Sequence, residues 1–359
     1  MKRLSPLQKA WNVRRTKHAE KRRHRTKARK RHRDRGTGFY ERVVLEVPAN
    51  FNLHENVAEA LDFFGRLRKT VLIERKLGLI DFRSCTNISA GAGLILAAET
   101  DRCRNLRFLD GKPTVTGTYP RDPSVGIFLD HLGFFRMLKL QGPGYGGKGA
   151  APTRFIDMRS GRRDRGQAAD EVATVADSGP VHLDGDAKRE LYEALLEAMN
   201  NVTAHAYPQD GWSKRLPVLP GQWWAAGHRD SMRREIGVLI YDQGVGIPET
   251  LPKSRHGYLL AKIRAGLKLG NSDAEHIRAA MEIGRTRMQG THRGRGMASL
   301  SHAVSRATDG HLLILSGTGG YLHTSDGVEK IFPLPTSIGG TFIEWRIRDD
   351  NLITWSDAR

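Results

Sequence analysis

The uneven distribution of charge is the feature that most constrains what this chain can fold into. Residues 1–36 hold 16 Lys and Arg side chains against two acidic ones, which leaves +5 of the formal net charge of +19 for the rest of the 359 residues. With so few apolar side chains, this segment cannot bury enough surface to offset the entropy of ordering it. We therefore expect a disordered basic arm over residues 1–38.

The composition also bears on partners and compartment. Cations without an apolar face suggest contact with the phosphate backbone of DNA or RNA. The alternative is a solvated tail, or one attracted to an acidic protein or membrane surface. No run of 18 apolar residues occurs, and no apolar core of a secretory signal follows the positive start, so a cytoplasmic protein without a membrane span is expected. Cys85 and Cys103 are too few and too far apart for a zinc site or a disulfide framework.

The remainder divides into regions of different pattern. Residues 39–141 alternate strand-like and helix-like segments, which indicates a small α/β domain. Residues 142–180 are rich in Gly, polar and charged residues around one strand-like segment, TRFIDM, and we interpret them as a linker. A second domain is expected over residues 181–350, with a tail at 351–359. The length allows two domains with separate cores.

Hydrophobic periodicity predicts the individual elements. In the first domain, strands are expected at VVLEVP and LGLIDF, and helices at HENVAEALDFFGRLRK and SAGAGLILAAETDRCR. The second domain is expected to begin with a helix around residues 188–206, followed by a hairpin of GQWWAAGHRD and EIGVLIYD. Later strands are expected at HLLILS, GYLHT, EKIFPL and GTFIEWRI.

One face of the predicted helix is polar. Glu193, Glu197, Asn201 and His205 recur every four residues and so share that face. Mg²⁺ prefers oxygen ligands and is held by one or two protein groups plus substrate phosphates, which makes Asn201 a candidate ligand. Glu197 could accept a proton from a water or hydroxyl that attacks a γ-phosphate. The alternative is an ordinary solvated face.

Three glycine-containing segments lie downstream. In EIGVLIYDQGVGIP, a strand ends at Asp242, which could accept a hydrogen bond from an adenine amino group while Gly244 and Gly246 let the backbone pass close to a ligand. In GTHRGRGMASLSHAV, the glycines precede a helix and could direct backbone N–H groups at an anion. IGGTFIEWRI places Thr341 at the start of a late strand. Each segment taken alone is also compatible with a plain turn or helix cap.

Taken in order, these four segments resemble the GHKL ATPases, the Bergerat-fold group that includes histidine kinases, gyrase B subunits, MutL proteins and heat-shock chaperone ATPases. The likeness is closest to the anti-sigma-factor serine kinases and covers residues 181–348. It implies an α/β two-layer sandwich that binds ATP and Mg²⁺. The implied residues are the general base Glu197, the Mg²⁺ ligand Asn201, the box histidine His205, the adenine acceptor Asp242, Gly244 and Gly246 at the nucleotide, Gly294 and Gly296 at the phosphates, and Thr341 beside adenine.

Two features depart from that family or extend beyond it. Met297, Ala298, Ser299 and Leu300 stand where the family often has Gly-Leu-Gly-Leu. The first domain resembles the STAS fold of anti-anti-sigma factors through IDFRSCTNISAGAGLILAAETDRC. That likeness implies Ser89 as a possible phosphoacceptor, although the acidic residue of the family's Asp-Ser-Ser-Gly element is missing here. The preference of helix N-caps for Ser favours the alternative, that Ser89 is a plain N-cap.

The sequence thus predicts an ATP-dependent regulatory switch with slow ATP hydrolysis or phosphotransfer. An anti-sigma-type serine/threonine protein kinase, with a protein partner or substrate through the STAS-like domain, is the second hypothesis. The third is a nucleic-acid-associated module that uses ATP as a structural ligand. Fold likeness alone does not decide among them.

Overall fold

The computed structural model describes the chain in segments. These are residues 41–106, 108–109, 112–137, 140–142, 153–162, 181–183, 189, 192–193, 196, 198–208, 217–230, 234–253, 257–288, 301–302, 304–348 and 353–355. The predicted arm, Glu197 and the glycines between 290 and 296 lie outside them. Val43–Arg359 is one compact unit. Within the described segments, no helix combines the length and apolar character needed to cross a bilayer.

The first region is mixed α/β, as its alternating pattern predicts. A three-stranded sheet has the order β1-β3-β7, in which β3 and β7 are parallel. The strands of this region are β1 (Arg42–Glu46), β2 (Asn50–Phe51), β3 (Leu77–Asp81), β4 (Asn87–Ile88), β5 (Phe108–Leu109), β6 (Lys112–Pro113) and β7 (Val115–Gly117). β2 pairs with β4, and β5 pairs with β6, in two further two-stranded sheets. Its helices are α1 (Val57–Arg68), with a π-helical continuation Lys69–Ile73, α2 (Ala90–Leu106), α3 (Pro123–His131) and α4 (Phe134–Met137).

A seven-stranded antiparallel sheet forms the centre of the molecule. Its order is β14-β13-β12-β15-β11-β10-β8. The strands are β8 (Thr153–Arg162), β10 (Gln222–Asp230), β11 (Glu235–Asp242), β12 (Asp309–Ser316), β13 (Gly319–Thr324), β14 (Glu329–Pro333) and β15 (Thr341–Arg348). The predicted hairpin and the four later strands are confirmed. They formed as predicted because each is a β-branched or aromatic run bounded by turn residues.

Two segments assigned to connections belong to sheets. The strand expected at TRFIDM forms, but as β8 it pairs with β10 at the edge of the large sheet, so this part of the predicted linker is structural. In the predicted tail, β16 (Ile353–Trp355) pairs with β9 (Val181–Leu183). Both strands lie far in sequence from their partners or are very short, and local patterns carry little information on such pairings.

The central sheet is covered on both faces. One face, with Leu239, Tyr241 and Phe342, shares a continuous core with α1, α2 and the small sheet. The other face, with Ile240, Ile343 and Trp345, packs against helical segments of the second region. The expectation of separate cores is therefore wrong for the described residues, because the first region supplies a third layer to the large sheet. The exact domain boundaries stay a prediction.

Helices line the second face. The residues at 189, 192–193, 196 and 198–201 are helical and lead into a π-helical turn, Val202–Ala206, whose apolar side packs on the sheet. Beyond β11 come α5 (Ile247–Thr250), α6 (Gly257–Gly266) and α7 (Asp273–Met288). Helix α7 buries Ile277 and Met281 against the strands. Helix α7 is thus part of the core on this face of the sheet.

Candidate functional site

Polar side chains form a row where the central strands end. In the antiparallel register, Ser316 of β12 is opposite Thr341 of β15, and Thr341 is opposite Asp242 of β11. Asp242 is in turn opposite Trp223 of β10. Because side chains alternate along a strand, Asp242 and Thr341 point to the same face as Ile240 and Ile343. This is the face that packs against the helices of the second region.

Asp242 is a buried carboxyl group, with only 4 % of its surface exposed. Its Oδ1 accepts a hydrogen bond of 2.7 Å from the backbone N–H of Gly244. Burial raises the pKa of Asp242 to about 7, although hydrogen bonds from the N–H groups of Gly244 and Thr341 act in the opposite direction. A buried acid of raised pKa at a strand end is typical of functional sites as well as of some structural networks.

The turn after β11 has a backbone conformation that requires glycine. Gly246 has φ of +88°, a region that side chains other than glycine avoid, and a Cβ there would lie 2.9 Å from Ser316 Oγ. The same hydroxyl accepts a 2.9 Å hydrogen bond from the N–H of Ile247. Ser316 therefore joins the predicted Asp-x-Gly-x-Gly turn to β12.

The Gly-Gly-Thr segment interlocks with this turn. A Cβ on Gly340 would overlap the carbonyl oxygen of Asp242, so the two backbones approach as closely as glycine allows. Thr341 Oγ1 lies 3.0 Å from Ser316 Oγ. Asp242, Gly246 and Thr341, which are separated by up to 99 positions in the chain, are thereby brought to one place.

The end of the long helix meets the same turn. The N–H of Val245 donates a 2.8 Å hydrogen bond to the carbonyl of Ala206. Tyr207 Oη accepts from the N–H of Gln243 at 3.1 Å and donates to the carbonyl of Gln222 at 2.6 Å. Burial raises the pKa of Tyr207, so its hydroxyl stays protonated and keeps this donor role.

Asn201 directly precedes the π-helical turn that leads into this contact, and His205 lies within it. Asn201 is half-buried and His205 is exposed, whereas Met199 and Val202 are buried in the core. The expected division into a polar and an apolar face thus holds at these positions. The π-helical turn is not visible in the periodicity, and such turns occur disproportionately at functional sites. Glu197, Gly294 and Gly296 lie outside the described residues, so their predicted places in the site stay predictions.

Gln243 is a site residue that sequence reasoning missed. Its side chain is 1 % exposed, and its Nε2 and Oε1 find no hydrogen-bond partner within the described part of the chain. An unsatisfied buried polar group costs about 1–3 kcal/mol and needs an explanation. Next to Asp242, this amide offers one donor and one acceptor group to a ligand. No sequence signal distinguishes it from a turn glutamine.

A buried ionic network supports the Gly-Gly-Thr segment from the opposite side. Arg68 of α1 donates hydrogen bonds to the carbonyl of Ile338 and, at 2.9 Å, to Oε1 of Glu99 in α2. Tyr241 Oη lies 3.0 Å from the same carboxylate, which also pairs with Arg102. Burial would raise the pKa of Glu99, but the two guanidinium groups outweigh it and lower the pKa. The first region is therefore connected to the site by charged groups.

Ser89 occupies the N-cap of α2. Its Oγ accepts 3.2 Å hydrogen bonds from the N–H groups of Ala92 and Leu53. This is the geometry expected of a capping serine, one of its two interpretations. Its role as a phosphoacceptor stays a prediction.

The comparisons with protein-family models, with curated proteins and with solved structures each returned no match. What the described residues establish is a buried carboxyl group, a glycine turn and a polar strand end beside the end of an amphipathic helix. Together these groups can accept a hydrogen bond from a planar amine and hold a backbone close to a ligand.

Proposed function

We propose that this protein is a GHKL-type Mg-ATP-binding regulator that acts as a nucleotide-dependent switch. The observation that carries the proposal is the convergence of Asp242, the Gly246 turn and Thr341 at one strand end beside Ala206, the last residue of the π-helical turn. The segments that resemble nucleotide-binding boxes therefore lie together, as a single nucleotide site requires. The Bergerat fold for residues 181–350 and a STAS-like fold for residues 39–141 are part of this proposal.

In this proposal each group has a chemical task. Asp242 accepts a hydrogen bond from the adenine amino group, and Thr341 lies beside the base. Asn201 supplies an oxygen to Mg²⁺, with His205 one turn further along the helix. Glu197, Gly294 and Gly296 complete the general-base and phosphate positions on the basis of the resemblance.

The layer order favours a switch over phosphotransfer to Ser89 within one molecule. The side chain of Asp242 points to the face of the sheet that packs against the helices of the second region. Helix α2, which Ser89 caps, packs against the other face. A nucleotide bound at Asp242 would be separated from Ser89 by the sheet itself. The Arg68 and Glu99 network instead connects the site to the first region, as a switch requires.

Calorimetric titration of the full chain with Mg-ATP tests the proposal. Asp242→Ala removes the adenine acceptor and should weaken binding about tenfold or more, since a hydrogen bond to a charged group contributes about 1.5–3 kcal/mol. Asp62→Asn is a matched control, because Asp62 is an exposed carboxylate paired with Arg66 on α1. It should bind like the wild type. Absence of ATP binding by the wild type, or equal binding by Asp242→Ala, contradicts the proposal.

A further inference from the structure

Two histidines and a carboxylate meet between the first region and the central sheet. His54 lies in the turn after β2, His311 on β12 and Glu344 on β15. Their ligand atoms all lie within 4.8 Å of one another. Nothing in the sequence links these three residues, which are separated by up to 290 positions.

The ligand atoms of the cluster lie at separations close to those around a bound ion. His54 Nε2 is 3.1 Å from Glu344 Oε2, and His311 Nε2 is 3.7 Å from Glu344 Oε1. At that distance His311 Nε2 makes no hydrogen bond, and it is buried without a partner among the described residues. The two imidazole rings are 5.0 Å apart in an edge-to-face arrangement. His311 Nε2 thus lies within ion-pair range of the Glu344 carboxylate without a hydrogen bond among the described residues, and an ion held between the two groups would satisfy both.

We propose that His54, His311 and Glu344 bind a divalent transition-metal ion of the zinc class. Zinc takes nitrogen and oxygen ligands at about 2.0–2.2 Å, so the ligand atoms around a tetrahedral ion are about 3.4 Å apart. The observed distances need only small side-chain movements to reach this value. Two imidazoles and one carboxylate suit zinc better than the hard, oxygen-preferring Mg²⁺.

The surroundings fix where the ion would lie and leave one coordination position open. Asn52 Oδ1 accepts a 2.8 Å hydrogen bond from the N–H of His54, and the buried Leu53 anchors the turn in the core. The His54 side chain is 35 % exposed, so water can complete the coordination. The charge of Arg346 would oppose an ion there, and this guanidinium pairs with Glu235 at 3.6 Å. The strands hold two ligands rigidly, and the turn brings the third.

This site is distinct from the proposed nucleotide site. Glu344 lies on the face of β15 that also bears Phe342, the face opposite to Thr341 and Asp242. An ion there would clamp the turn at His54 to β12 and β15, and so hold the first region on the sheet. Neither the Mg-ATP proposal nor its failure affects this inference.

Zinc titration of the full, chelator-treated chain tests the site, with calorimetry for affinity and Co²⁺ absorption for ligand geometry. We expect His54→Ala and Glu344→Gln each to weaken binding at this site about tenfold or more. The wild type should melt at a higher temperature with zinc, and His54→Ala should lose that increase. His131→Ala on α3 is the matched control and should retain both effects.

Zinc binding by the wild type and the variants either supports or contradicts the inference. Because the His54 side chain is partly exposed, His54→Ala is expected to fold even if Glu344→Gln does not, so the test does not depend on the buried variant. If wild type binds neither zinc nor cobalt, the inference is wrong. It is equally wrong if His54→Ala keeps the wild-type zinc affinity and cobalt spectrum, since the ion then binds elsewhere. Selective loss in His54→Ala, with His131→Ala unchanged, supports it.

Discussion

At the scale of single residues, the site is defined by polar groups that are buried at a cost. Asp242 is buried with a raised pKa, and the amide of the neighbouring Gln243 has no hydrogen-bond partner among the residues that the structure describes. Natural proteins tolerate such groups where binding needs them, and stability is lower as a result. Both residues therefore give predictions that separate stability from ligand affinity.

The pH dependence of stability should report on Asp242. Its folded-state pKa of about 7 lies above the ordinary value of 3.8, so the folded chain keeps this proton to higher pH than the unfolded chain does. Its contribution to the free energy of unfolding therefore falls as pH rises from about 4 to about 7, and is level above that range. Asp242→Asn should remove this part of the slope in urea unfolding measured across the range. Asp62→Asn should retain it; a wild-type slope in Asp242→Asn would contradict the assignment.

Gln243→Met should stabilise the ligand-free chain and weaken ATP binding. Removing the unsatisfied amide without changing side-chain volume much is expected to raise the free energy of unfolding by about 1–3 kcal/mol. Urea unfolding and ATP calorimetry measure the two effects. Gln222→Met is the matched control, because Gln222 is also buried but its Nε2 donates a 3.0 Å hydrogen bond to Asp101. That variant should lose stability. A higher free energy of unfolding in both variants would show that the gain does not come from an unsatisfied amide at Gln243.

At the scale of elements, hydrophobic periodicity predicts the strands and helices whose formation depends on local sequence alone. The strands VVLEVP and LGLIDF, the helices that became α1 and α2, and the β10–β11 hairpin form where expected, since each pattern is self-contained. The sequence could not predict that Ser316 would join the site, because a serine at a strand end is ordinary and its importance comes from the β12–β15 register. The π-helical turn at Val202–Ala206 was missed for the same reason, since its cause is tertiary contact.

Helix α7 gives a prediction at this scale, because its N-terminus carries a capping box. Ser272 Oγ accepts a 3.3 Å hydrogen bond from the N–H of Glu275, and the Glu275 carboxylate accepts a 2.9 Å bond from the N–H of Ser272. Ser272→Ala should lower the free energy of unfolding by about 1 kcal/mol in urea denaturation. Ser84→Ala, in the exposed turn after β3, removes only a single 3.3 Å hydrogen bond to the carbonyl of Val47 and should cost less, about 0.5 kcal/mol. Equal effects would show that the cap contributes nothing.

At the scale of the whole molecule, the sequence misled on one point for a physical reason. A strand that is apolar on both faces, such as β11, indicates burial on both sides but does not say what covers each. Helix α1 is amphipathic and α2 is buried on most of its sides, and neither pattern says which sheet the helix covers. Only the three-dimensional structure shows that Phe342 and Tyr241 pack against them.

The contact between these layers should depend on Glu99. Its carboxylate, which is fully buried, pairs with Arg68 and Arg102. Glu99→Gln would leave two buried guanidinium groups without a carboxylate and should cost about 3–5 kcal/mol in thermal or urea unfolding. Asp62→Asn breaks an exposed carboxylate–arginine pair of the same kind and should cost less than about 1 kcal/mol. Similar losses in the two variants would mean that Glu99 is not central to the layer contact.

The hydrogen bond from Arg68 to the carbonyl of Ile338 has a further consequence, because Ile338 lies three residues before Thr341. Binding free energies at two sites that share a mechanical connection are coupled equally in both directions. If ATP at Thr341 fixes the position of this carbonyl, then a molecule whose binding displaces α1 or α2 alters the affinity for ATP. ATP in turn alters the affinity for that molecule by the same factor. Under the proposed function, a protein that displaced these helices would thereby change the ATP affinity of a site that it does not contact.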